Sequence, residues 1–367
     1  MDNMKIPFYA RATLIFIGLI AFISILYVAQ DIIVPIMYAT IIAILLSPLV
    51  DLLVKRKMNR VLAIAITLIG VIAIIIIFSM LLSHELSVFT DTFPRLLDKF
   101  SETLQHAAKW VSIHFHISAT KINSYIADSR TALLNGSRSS IGVTLSSIGN
   151  VLVVLLLIPV YVFMILFYQP LLLDFIRRLF GKTNNTEVNE VLVATRTIIR
   201  RYLAALFVEA GIVATLNSVG LMIIGIDYAI LLGILGALLN MIPYIGGVIA
   251  VLLPMAVAYV TKSTPSYALM VMLVYMTIQF VDNHYIFPKI VSSKVRINAL
   301  ISLIVVLCGG ALWGISGMFL SIPIIAILKV IFDHIDSMKP WGFLLGDTMP
   351  PIAIFKIKLK KKLMTAK

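Results

Sequence analysis

Gln279, Asp282, Asn283 and His284 form the densest group of chemically able side chains in the sequence, at the end of an apolar run and ahead of Pro288. Two amides, a carboxylate and a titratable ring can coordinate a monovalent cation, move a proton or hydrogen-bond a hydroxyl-rich solute. An ionisable group in or beside a membrane-spanning segment is costly to insert, so each such residue calls for a partner or a task. Alternatively, they are ordinary helix-end residues at the headgroup boundary, with Tyr285 and Phe287 as interfacial aromatics.

A second group runs from Asn240 through Pro243 to Gly246 and Gly247. Proline removes a backbone donor and paired glycines allow a tight turn, which frees amides and carbonyls inside an apolar stretch. Irregular backbone at membrane depth survives only when buried in protein or lining a wet cavity, so this break is a candidate solute site, with a packed kink as the alternative. Glu209, inside another apolar run, either pairs with Arg200 and Arg201 or faces a transport path. Asn217 and Asp227 are weaker candidates, the first as a bridge between helices and the second as a turn cap.

Other chemistry finds little support. His114 and His116 are two residues apart, which points them to opposite helix faces, so with His84 and His106 they are not read as a metal site. The lone Cys308 lies in an apolar run and reads as a packed structural residue. No Walker loop, GxSxG elbow, HExxH helix or CxxC pair is present, so the chain is not expected to be an enzyme and no cofactor is expected. Transport by such a chain draws on gradients, with H+ or Na+ as the coupling ion.

The elements that would position these groups are membrane helices. Of the 367 residues, 60% are hydrophobic and 13% charged, with mean hydropathy +1.04, well outside the composition of ordinary globular domains. Long apolar runs over residues 10–29, 32–54, 61–82, 151–168 and 202–226 each reach spanning length. The pieces 229–242, 247–260 and 268–281 are shorter and interrupted by Pro243, Gly246, Gly247, Pro254 and Pro265, as half-helices or a re-entrant hairpin would be. Residues 299–330, with Gly309, Gly310, Gly314, Gly317 and Pro323, predict a second hairpin. The fold class is all-α: a polytopic membrane protein of about eight transmembrane helices, broken in its C-terminal half.

The net charge of +13 resides in clusters at the ends of apolar runs, which favours topology over nucleic-acid binding. Lys55, Arg56, Lys57 and Arg60, and then Arg177, Arg178, Lys182, Arg196, Arg200 and Arg201, place two loops in the cytoplasm. Both termini are then cytoplasmic, the lysine-rich tail from Lys356 to Lys362 included, and the protein lies in a bacterial inner membrane. The chain divides into three spans (1–82), an outer amphipathic segment (83–150), spans four and five with a cytoplasmic linker (151–226), a transport core of two hairpins (227–335) and a basic tail (336–367).

The order of these pieces resembles the AI-2E family of bacterial transporters. The likeness is carried by Pro243 with Gly246, Pro254, Asp282-Asn283 with Pro288, then Gly309-Gly310, Gly314, Gly317 and Pro323. The chain departs from it at Gly246-Gly247, where the family often has Gly-Pro, and at Asn298-Ala299, near a family His-Pro pair. The resemblance implies a homo-oligomer, specifically a pentamer, whose hairpins carry a solute in elevator fashion, with members associated with autoinducer-2 export and others with sodium/proton antiport.

The expectation is therefore a secondary transporter or exporter of a small polar, autoinducer-2-like solute, with a sodium (or lithium)/proton antiporter as the alternative. A non-transporting scaffold that recruits partners through the outer segment and tail is a second alternative. Asn240, Pro243, Gly246, Gly247, Gln279, Asp282, Asn283 and Asn298 are expected to line the site, Asp282 or Glu209 to supply charge, and Gly309 and Gly310 to make the second hairpin's turn.

Overall fold

The computed structural model describes residues 7–115, 144–179, 185–242, 246–262, 264–292 and 295–347. Helix α1 (Phe8–Val28) buries none of its residues, and its apolar side chains project on all sides, which suits a helix bathed in lipid. After a one-residue joint follow α2 (Gln30–Lys55) and α3 (Arg60–Phe115). The expected boundary at residue 82 falls inside α3, which runs on as one helix to Phe115. Helix α4 (Thr144–Leu179) returns and packs with α2 and α3 around Ala39, Ala43, Ile64, Val162 and Leu166. The small Ala39 and Ala43 let these helices approach closely. Arg60 ties α3 to α4 by donating to Leu166 O at 2.7 Å and Gln169 Oε1 at 3.1 Å.

Helix α5 (Asn185–Ile224) is the axis against which the C-terminal half assembles. Two short helices, α6 (Ala229–Asn240) and α7 (Gly246–Thr261), form the first hairpin. At about 1.5 Å rise per residue, α6 reaches roughly 18 Å, short of a 30 Å hydrocarbon core. A side chain at Gly246 would overlap the backbone of Leu239, so only glycine allows this reversal. Pro254, expected to interrupt the piece, sits inside a continuous α7. Helix α8 (Ser266–Val281) follows and widens into two π-helical turns, Asp282–Ile286 and Pro288–Ser292.

Helix α9 (Ala299–His334) is a hairpin folded on itself. Ser321 Oγ donates to Val305 O at 2.8 Å, a pairing that brings residues 16 apart in sequence side by side. The backbone leaves the helix at Trp313 (φ −133°, ψ 20°) and Gly314 (φ 60°, ψ −141°). The turn is thus made by Trp313 and Gly314, which corrects the expectation of Gly309 and Gly310. Gly309 stays helical and faces Gly317 and Ser321 across the crossing, where a Cβ would overlap both. The tip is pinned to α1 by Trp313 Nε1, which donates to Leu26 O at 3.0 Å, one of the carbonyls a helix C-terminus leaves unpaired. Asn298 closes the base of this hairpin: its Nδ2 donates to Leu344 O at 2.6 Å and its N–H to Leu345 O at 3.1 Å, at the end of α10 (Lys339–Leu345).

Among the described residues six helices are long and apolar enough to cross a bilayer, with shorter apolar helices beside them, which makes the chain an all-α polytopic membrane protein. The tail lysines, His116 and Pro243 lie outside the described residues.

Candidate functional site

A cavity of about 900 Å³ opens between α5, the first hairpin, α8 and the start of α9. Helix α5 supplies Tyr202, Leu206 and Glu209, positions 3–4 residues apart that share one face. The first hairpin supplies Asn240 and Met241 at its tip and Gly247 at the start of α7. The end of α8 supplies Gln279, Asp282 and Asn283, again one face, carried into the site where the helix widens.

The polar groups form one chain of hydrogen bonds. Gln279 Nε2 donates to Asn283 Oδ1 and to Asn240 Oδ1, both at 3.3 Å. Asn240 Nδ2 in turn donates to Asp282 Oδ2 at 3.0 Å. Gly247 leaves room for this chain, since a Cβ there would stand 3.1 Å from Gln279 Oε1. Asp282 is 2% exposed, and its Oδ1 is buried with no hydrogen-bond partner. A desolvated carboxylate oxygen without a donor costs on the order of several kcal/mol, so a proton, a cation or a hydrogen-bond donor at this atom would be stabilising. Glu209, also buried, lies within electrostatic reach of both Asp282 and Tyr202. Arg200 and Arg201 point to the exposed side of α5, so Glu209 faces the cavity.

Other sequence candidates are placed elsewhere. Asn298 does not line the cavity; besides closing the hairpin base, its Oδ1 accepts from Ile301 N at 2.8 Å as the cap of α9. Gly246 packs against the backbone of Leu239 and Asn240 where the first hairpin reverses, and Gly309 and Gly310 lie at the second hairpin's crossing. His284 is exposed and stacks on Phe280 at 4.2 Å. Asn217 is buried between α5 and α6 with an unpartnered Oδ1, and Asp227 pairs with Lys262 at 3.3 Å.

Several lining residues escaped sequence reasoning. Arg296, held at φ 49°, brings a cation to the cavity; its one signal was a basic residue between two apolar pieces. Met255, Met272 and Met276 carry no signal beyond an apolar helix face, yet all line the cavity.

Residues 15–337 match the family model described as AI-2E family transporter. The chain is 25% identical over 325 residues to "AI-2 transport protein TqsA" of Escherichia coli strain K12, covering 87% of this chain and 90% of that one. It is 22% identical over 334 residues to "Putative transport protein YueF" of Bacillus subtilis strain 168, covering 89% and 88%. It is 24% identical over 348 residues to "Putative transport protein YhhT" of E. coli strain K12, covering 91% and 93%.

Proposed function

The chain belongs to the AI-2E family of transporters, and from that membership we propose that it is a secondary transporter of a small polar solute, with the cavity at Asp282 as its binding site. The observation that carries this reading is the buried, unpartnered Oδ1 of Asp282 at the end of the Gln279–Asn240 hydrogen-bond chain. A solute hydroxyl or amine can donate to that oxygen, and a proton or Na+ can occupy it instead. Competition for one atom couples the two movements, and Glu209 offers a second carboxylate to hold the displaced proton.

The volume of about 900 Å³ suits a solute of many atoms better than a bare cation. Because one relative is named for AI-2 transport, AI-2 is the first solute to test. Two chain reversals, one between α6 and α7 and one at Trp313-Gly314, support an elevator-type movement of the hairpins within a homo-oligomer, a pentamer as the family resemblance has it. The clusters of Lys and Arg support an inner-membrane location with both termini in the cytoplasm. Two carboxylates in one cavity favour sodium (or lithium)/proton antiport as a second reading.

The test is purified protein in proteoliposomes with an internal pH dye, pulsed with AI-2 and separately with Na+, Li+ or K+. A solute-driven pH change lost in Asp282→Asn supports coupled solute transport. A response to Na+ or Li+ alone moves the assignment to antiport, and no response to any addition overturns both.

A further inference from the structure

We infer that the solute is an amphiphile, with a hydrogen-bond-donating head held at Asp282 and an apolar body lying along a methionine-rich wall between α7 and α8. The assignment rests on the cavity being the transport site.

Apart from Tyr202, Glu209, Arg296 and Ser302, the polar side chains that line the cavity form one hydrogen-bonded group. Asn240, Gln279, Asp282 and Asn283 are joined by hydrogen bonds and so share one place. Along α8 the same face continues away from them to Met276 and Met272, one and two turns before Gln279. Ten residues separate Met272 from Asp282, about 15 Å at the helical rise, so the lining passes from thioether to carboxylate over the length of a mid-sized organic molecule. Across the cavity α7 answers with an apolar stripe: Val251, Leu252 and Met255, one turn apart from Gly247 onward. Met241 adds a further thioether at the hairpin tip.

A sugar-like solute with hydroxyls on every side would leave most of them unpaired against this wall, at the cost of desolvating each. An apolar body avoids that cost and gains from burial. Methionine, flexible and polarisable, accommodates bodies of differing shape. The wall is also not closed by protein: Leu252 is 58% and Met276 60% exposed. In a bilayer that opening faces hydrocarbon, the phase in which an amphiphile's body resides. A head held at Asp282 is a donor, because Asp282 Oδ1 lacks one, whereas an acidic head would be met by Arg296 instead.

The experiment is a homologous series of primary n-alkylamines, from ethylamine upward, titrated calorimetrically into the full chain in lipid nanodiscs, with empty nanodiscs as reference. Above the reference, affinity should rise roughly fourfold per methylene and level off once the extended chain reaches about 15 Å. Met272→Ser with Met276→Ser should flatten this increment more than it weakens ethylamine, and Asp282→Asn should weaken every member about tenfold or more while keeping the increment. Ethylamine binding that is lost in Asp282→Asn but shows no gain with chain length would overturn the amphiphile and leave the cavity as the site. Binding of no member above the reference, or binding indifferent to Asp282→Asn, would overturn the site itself.

Discussion

Asp282 presents two unlike oxygens, Oδ2 engaged by Asn240 and Oδ1 without a donor, and this inequality decides what its substitution does. An amide in its place would keep the shape but offer no charge for a proton or cation. Asp282→Asn should therefore lower the coupled pH signal in proteoliposomes about tenfold or more, with Glu209→Gln weakening it less. Since proton and solute donor compete for Oδ1, solute affinity should rise with pH across the titration of this carboxylate pair and become flat in Asp282→Asn; equilibrium binding at a series of pH values measures it. Gly309 and Gly310 separate at the same scale. A methyl at Gly309 meets Ser321 and the backbone of Gly317, whereas at Gly310 it meets the flexible end of Met318. Gly309→Ala should therefore cost about 2–3 kcal/mol and Gly310→Ala under about 1, read as loss of thermal stability in detergent.

At the scale of elements, the C-terminal half is built from reversals that happen at residues able to make them. Gly314, at φ 60° and ψ −141°, occupies backbone space essentially reserved for glycine. Gly314→Ala should cost about 1–3 kcal/mol and open the hairpin tip, seen as lower thermal stability and faster amide exchange around Trp313. Trp313→Phe keeps an aromatic ring but loses the bond to Leu26 O, so it should cost about 1 kcal/mol and free the tip from α1 without touching the cavity. The glycine spacing of residues 309–317 was legible as a hairpin. Which glycine turns and which packs was not, because a glycine needed for close approach and one needed for positive φ look alike in sequence.

Across the whole molecule, the N-terminal helices and the C-terminal half meet at few polar ties among the described residues. Arg196 of α5 donates to Ser47 Oγ at 2.7 Å and Asp51 Oδ2 at 2.8 Å of α2, beside the apolar packing of Ile41 with Ile199 and Tyr202. Both charged partners are partly exposed, so Arg196→Met and Asp51→Asn should each cost under about 1 kcal/mol and combine less than additively. A thermal-stability double-mutant cycle checks this. The C-terminal part of α3 makes a comparable tie to the first hairpin, where Lys99 donates to Val260 O at 2.9 Å near the end of α7 and Phe89 meets Tyr228 edge-on at 5.7 Å.

Composition and the length of the apolar runs sufficed to establish an all-α polytopic membrane protein, because a bilayer demands helices of known length and apolar surface. Proline and glycine marked the broken C-terminal half, and polar residues in or at the ends of apolar runs marked Asn240, Gln279, Asp282, Asn283 and Glu209, since such groups are rare where insertion is costly. Tertiary structure alone decided that Glu209, far from Asp282 in sequence, shares its cavity, that Asn298 caps a helix, and that Arg296 and the methionines of α7 and α8 join the lining. Each of those outcomes depends on which face of one helix meets which face of another. Local periodicity gives a residue its face, and only packing gives that face its neighbour.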